Sequence, residues 1–149
     1  MGGLDDLYQQ LILDHYRNRR GRGRIEGASA SAHENNPVCG DECFLDILVE
    51  DGRLADIRAD GDGCSISQAA ASMLTEAARG RDLDDALALV EHFRLVMHGN
   101  AEPEEDLLGD AVALEGVARY PVRVKCALLS WLALRDCIAE YRETTAMGG

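Results

Sequence analysis

The stretch CFLDILVEDGRLADIRADG, residues 43–61, switches the chain from a helical hydrophobic period to a period of two. Cys43, Leu45, Ile47 and Val49 share one face of an extended segment, and Asp46 and Glu50 share the other. Asp51-Gly52 then supplies the two residues that tight antiparallel hairpins prefer. LADIRADG reads as the returning strand, and the residues before Pro37 supply a further one. Upstream, residues 4–18 place Leu4, Leu7, Tyr8, Leu11, Ile12 and His15 at helical spacing.

Downstream of residue 61 the pattern is helical. Ser65 followed by Gln68 predicts a capping box, and Gly80 a C-terminal stop. Asp82 is placed to cap a helix whose apolar positions are Leu83, Ala86, Leu87, Val90 and Phe93. Residues 99–110 read as an acidic loop around Pro103, and Pro121 opens a long helix to about Glu143. The expected fold is α+β: a small antiparallel β-sheet of about three strands against several α-helices, as one domain over residues 1–149.

The chain carries a net charge of −12, which disfavours nucleic acid as a partner because that binding rests on phosphate neutralisation. RNRRGRGR, residues 17–24, departs from the trend: a solvated loop, a docking patch for an acidic protein surface, or an RNA contact. No aromatic is interleaved there to stack on bases. No apolar run approaches the roughly 20 residues of a membrane span. MGGLDDLYQQ lacks the basic start and apolar core of a signal peptide, so a cytoplasmic protein is expected.

Five cysteines, at 39, 43, 64, 126 and 137, would then lie in a reducing compartment, where metal ligation or reactivity is commoner than disulfides. Cys39 falls in a turn, Cys64 directly before a helix, and Cys126 in the second turn of another. A helix N-terminus favours the thiolate. With Asp41 these three could complete a tetrahedral zinc set. The ligands are scattered and form no compact CxxC knuckle, so spacing alone leaves metal ligands and buried thiols both open. Cys43 continues a core face, and Cys137 lies too far along its helix to share an ion with Cys126. Of the histidines, His15 and His92 read as partly buried polar residues and His98 as exposed. His33 is the candidate nearest in sequence to Cys39 for an outer-shell role.

Four stretches, in order, resemble the IscU/SufU family of iron–sulfur cluster assembly proteins: LYQQLILDHYRN (7–18), NPVCGDE (36–42), GDGCSIS (61–67) and ARYPVRVKCALLSW (118–131). The resemblance is closer to the SufU branch. Lys125 stands where IscU scaffolds typically carry histidine, and the segment from Cys64 to Cys126 is long, as in SufU proteins. YPVRVK replaces the chaperone-recognition motif of IscU proteins, and Arg19 stands where family members often have proline.

What the resemblance implies is specific. It implies a zinc-dependent sulfurtransferase that accepts persulfide sulfur from a SufS-type cysteine desulfurase and passes it on, with a downstream SUF scaffold as the expected receiver. Cys39, Asp41, Cys64 and Cys126 match the family's zinc ligands, and Cys39 matches the acceptor. In that family the partner enzyme contributes a histidine to the zinc, which frees the acceptor thiolate; Cys39, in a turn, is the ligand whose backbone moves most cheaply. Arg123 and Lys125 are candidates for stabilising thiolate charge or contacting the desulfurase. The alternative is an IscU-like scaffold on which an iron–sulfur cluster is transiently assembled and transferred. A third reading makes zinc purely structural and the arginine loop an RNA contact.

Overall fold

A computed structural model describes the backbone of residues 4–148 and the side chains of residues 6–146. The Leu4 side chain, expected on the apolar face of the first helix, lies outside the described residues. The elements in order are α1 (Leu4–Arg17), β1 (Ala30–Asn36), β2 (Asp41–Glu50), β3 (Arg53–Asp60), α2 (Ser65–Ala78), α3 (Leu83–Met97), α4 (Glu105–Leu108), a 3-10 stretch (Gly109–Arg119) and α5 (Pro121–Gly148). The sheet is antiparallel, ordered β1-β2-β3.

The β2–β3 turn forms as its Asp-Gly pair predicts. Glu50 pairs with Arg53, and both intervening residues adopt positive φ, 54° at Asp51 and 74° at Gly52. Leu45, Ile47, Leu54 and Ile57 leave one sheet face fully buried, against α5 and α2. Trp131 of α5 stacks on Phe93 of α3 with ring centroids 3.9 Å apart, and its Nε1–H donates to the Ala70 carbonyl at 3.1 Å. No described helix is long and apolar enough to cross a membrane.

Several local expectations change. The helix after residue 64 begins without a capping box: Cys64 is the N-cap, and the Gln68 side chain donates instead to the Gly61 carbonyl. The expected acidic loop at 99–110 includes α4 and runs into the 3-10 stretch, whose buried Val112 and Leu114 close the core from that side. Asp46, on the face opposite Leu45 and Ile47, is 1 % exposed. The arginine stretch folds over that face.

That stretch is therefore neither an open loop nor a basic patch over most of its length. Arg24 grips the Asp46 carboxylate through two hydrogen bonds, 2.9 and 3.1 Å, and Arg20 pairs with Asp14 at 2.8 Å. Arg19 donates to Gln68 and, at 2.9 Å, to the Ala59 carbonyl. The Ala59 N–H in turn donates to the Gly21 carbonyl at 2.8 Å, so the loop lies along the β3 edge. Of the five arginines, Arg17 is left exposed with no described partner. Arg19, Arg20 and Arg24 are thus engaged within the molecule, while the Arg22 and Arg24 side chains keep 58 % and 51 % of their surface exposed.

Asp46 yields a stability prediction. Burial raises its pKa, but hydrogen bonds from Arg24, Ser31 and the Ile25 N–H outweigh this and hold it below the usual carboxylate range. A depressed folded pKa contributes stability above the unfolded value, about 3.9, and loses it as pH falls through the lower folded value. Asp46→Asn is expected to cost roughly 1–3 kcal/mol at pH 7. In urea titrations the deficit should start to shrink below about pH 4, the unfolded value, and vanish as pH falls through the lower folded value, where the native carboxyl is neutral too. A deficit that stayed constant with pH would mean that shape, not charge, is what Asp46 provides.

Candidate metal centre

The β1–β2 connection presents Cys39. The Asn36 carbonyl accepts from the N–H groups of Cys39 (3.2 Å) and Gly40 (2.8 Å), and Gly40 takes the positive φ, 74°, that closes the turn. β2 then begins with Asp41, 1 % exposed. Its Oδ1 accepts the Cys64 N–H at 2.8 Å and its Oδ2 lies 3.7 Å from Cys64 Sγ. This carboxylate thus satisfies the N–H of the N-cap residue of α2, as a Glu or Gln three residues into the helix does in a capping box.

Cys126 enters from α5 with no exposure; its Sγ lies 3.4 Å from Cys39 Sγ and 3.6 Å from the Val122 carbonyl. Ligand atoms of Cys39, Asp41 and Cys126 all fall within 4.8 Å of one another. Cys64 joins through its contacts with Asp41. Four residues from three separate segments therefore meet at the end of the sheet.

The donor set fits a metal such as zinc. Two Zn–S bonds of about 2.3 Å at a tetrahedral angle place the sulfurs about 3.8 Å apart, near the separation of Cys39 and Cys126. Three sulfurs and a carboxylate suit a borderline-soft divalent ion. Burial first, then hydrogen bonds with Asp41, Cys39 and Cys64, push the Cys126 thiol well up. A divalent ion inverts that balance. The backbone is also shaped for the site, since a Cβ at Gly63 would lie 2.2 Å from Ser67 Oγ and 2.8 Å from Asp41 Oδ1.

The remaining candidates fall outside. Cys43 and Cys137 are core thiols, raised by burial to about 11 and about 12. His33 pairs with Phe44 across β1–β2, stacks on its ring at 4.2 Å and hydrogen-bonds Glu42 at 2.9 Å. It therefore leaves the face opposite Asp41 and is not an outer-shell group. His15 is fully buried rather than partly, between Ser72 (2.7 Å) and Asp110 (2.9 Å). Arg123 and Lys125 are exposed on the first turns of α5, with no described side-chain partner.

Val38, Tyr120 and Val122, 74 %, 57 % and 55 % exposed, make an apolar rim that flanks Cys39 and Cys126 in sequence. Sequence reasoning passed over that rim, and over Asn36. The one available signal for Asn36 was an Asn directly before a Pro turn.

Fold and site together define a helix-backed, three-stranded protein with a thiol–carboxylate cluster suited to a soft metal. Residues 7–127 match the NifU-like N-terminal domain family. The chain is 42% identical over 137 residues to the zinc-dependent sulfurtransferase SufU of Bacillus subtilis, covering 92% of each. It is 38% identical over 135 residues to the iron–sulfur cluster assembly scaffold protein IscU of Streptococcus pyogenes, covering 91% of this chain and 84% of that one. The crystal structure of a nitrogen-fixing NifU-like protein (N-terminal) from Brucella abortus superposes with a TM-score of 0.86 at 25% identity, over 94% of this chain and 97% of that one. The chain belongs to the NifU-like N-terminal domain family, the IscU/SufU group.

Proposed function

We propose that this protein is a zinc-dependent sulfurtransferase of iron–sulfur cluster assembly, with a SufS-type cysteine desulfurase as donor and a SUF scaffold as receiver. Cys39, Asp41, Cys64 and Cys126 hold the metal. When bound, zinc supplies a charge that keeps the thiols deprotonated and guards them from oxidation. One observation carries the choice of acceptor. Cys126 is sealed in α5 and Cys64 is tied through its N–H to Asp41, whereas Cys39 is half-buried in a turn held by hydrogen bonds to the Asn36 carbonyl and side chain.

In the transfer, the Cys39 thiolate attacks the outer sulfur of the desulfurase persulfide. A new S–S bond forms at Cys39, the S–S bond to the desulfurase cysteine breaks, and that cysteine departs as its thiolate. The sulfane sulfur keeps its oxidation level, so no external electron is needed. The apolar rim and the exposed cations Arg123 and Lys125 supply a docking surface around the acceptor.

The test is alanine release by the cognate SufS-type desulfurase, with and without the zinc-loaded protein. Strong stimulation, with one sulfur atom gained by mass on this chain, supports the reading; an unchanged rate rejects it. Kinship with IscU scaffolds keeps a second reading, cluster assembly on the same four residues, and anaerobic reconstitution with transfer of an intact cluster to an apo-protein would favour that instead. Arg123→Ala is expected to reduce the stimulation several-fold at low salt and less at high salt, as a rim charge does. An unchanged response at both salt concentrations would remove Arg123 from the interface.

A further inference from the structure

Asn36 is the last residue of β1 and pairs directly with Asp41 across the sheet. Directly opposed residues of an antiparallel pair project to the same face with Cβ atoms roughly 5 Å apart. The Asn36 side chain therefore emerges on the face that carries the Asp41 carboxylate. It is 7 % exposed. Its Oδ1 accepts the Val38 N–H at 3.2 Å, and since a backbone N–H can only donate, this contact fixes which end of the amide is oxygen. The other end, Nδ2, is buried and finds no hydrogen-bond acceptor among the described residues.

A buried amide donor left unpaired is costly, so it points to something this turn is built to receive. The group that arrives here, on the reading of the preceding subsection, is a sulfur atom on Cys39. A persulfide extends the Cys39 side chain by one S–S bond, about 2.05 Å, and its terminal sulfur carries a negative charge. The nearby donors already have duties: the Cys39 and Gly40 N–H groups are held by the Asn36 carbonyl, and the Cys64 N–H by Asp41.

We infer that Asn36 is a positioning residue of the sulfur site: Oδ1 shapes the Cys39 turn through Val38, and Nδ2 donates an N–H···S hydrogen bond to the terminal sulfur of the Cys39 persulfide. The bond forms only in the loaded state, so it favours loading over the resting thiolate, and hydrogen bonds to an ion are the stronger kind. The donor is preorganised because the turn hydrogen bond locks the amide plane. Asn36 takes no part in bond making; it acts on the lifetime and orientation of the carried sulfur.

The inference can be tested apart from the desulfurase, by loading the zinc-bound protein with inorganic polysulfide and using Cys39→Ser as the unloaded control. The side-chain amide protons of Asn36, followed by 15N NMR in the otherwise unaltered protein, are expected to move downfield and exchange more slowly on loading. No such change in a chain shown by mass to carry sulfur on Cys39 would overturn the inference. Asn36→Asp keeps the turn acceptor but replaces the donor by an anionic oxygen. Its persulfide is expected to be lost to a thiol reductant about tenfold faster than wild type, at unchanged zinc content. Equal lifetimes would also overturn it. If the amide responds to polysulfide but the desulfurase cannot load the protein, the sulfurtransferase reading fails while the Asn36 contact stands.

Discussion

Cys39→Ser is expected to leave the protein folded while reducing stimulated alanine release to the desulfurase's own rate. Serine is close in volume, and Cys39 contributes nothing to the apolar core: it sits half-buried in a turn held by hydrogen bonds to the Asn36 carbonyl and side chain, none of which uses the Cys39 side chain. The turn should therefore survive, with a melting temperature near that of the wild type when metal content is matched. A hydroxyl, however, is not appreciably ionised near neutrality and cannot attack a persulfide sulfur.

Zinc affinity should fall in the same variant, because a soft thiolate donor has been replaced by a hard neutral oxygen. Cys126→Ser provides the contrast. That residue has no exposure, so its substitution puts a polar group in a closed space beside Cys39 and Val122 as well as removing a ligand. Its stability should fall even without metal, whereas Cys39→Ser should be near neutral in that form. The comparison needs thermal melts of both variants with and without zinc, beside the alanine assay. Retained stimulation in Cys39→Ser would move the acceptor to another thiol and end this assignment.

Gly61→Ala is expected to be the most destabilising glycine-to-alanine substitution among the described residues. Gly61 joins β3 to the Cys64 loop with φ at 112°, where side chains are rare, and an added Cβ would lie 2.2 Å from the Glu42 carbonyl oxygen. That oxygen belongs to strand backbone, anchored by the Glu42 N–H to the Asp62 carbonyl at 2.8 Å, so neither partner yields cheaply. Strain and clash together should cost about 3 kcal/mol or more, which for this size lowers the melting temperature by about 10 °C. Gly80→Ala separates the two causes. Gly80 also has positive φ, 86°, but an added Cβ would meet nothing within 4 Å, so the expected cost is only about 1–2 kcal/mol.

The same substitution should reach the metal. Gly61 and Gly63 bring the Cys64 N–H onto Asp41 Oδ1, and a displaced loop separates the two ligands. Zinc competition titrations on Gly61→Ala should show weakened binding, with Gly80→Ala unchanged. Equal effects of the two substitutions would mean that the close approach at Gly61 is not what positions the loop.

The arginine stretch and Asp46 mark where local reading stops. Period-two alternation put Asp46 on the face opposite Leu45, and it lies there, but Arg24 and the Ile25 N–H, from a loop some 20 residues earlier, and Ser31, its pairing partner on β1, cover it. Alternation reports which side of a strand a residue takes; it carries no information about what another segment lays over that side. The missing capping box has a similar cause. Ser65 and Gln68 have the right spacing, but the Asp41 carboxylate, 23 residues upstream of Cys64, reaches that helix end first.

What the sequence by itself determined is the local and periodic: the Asp-Gly hairpin, the helix that Asp82 caps, the stop at Gly80, and the core destiny of Cys43 and Cys137. These follow from interactions between residues a few positions apart, which a pattern records directly. Four ordered stretches also carried the family resemblance. Only the tertiary structure decided the meeting of Cys39, Asp41 and Cys126, the turning away of His33, and the unpaired amide of Asn36 beside them. Cys39 and Cys126 are 87 positions apart, and their 3.4 Å contact exists because α5 packs across β1 and β2. Burial of one apolar face of the sheet sets that crossing, and the site forms where it ends.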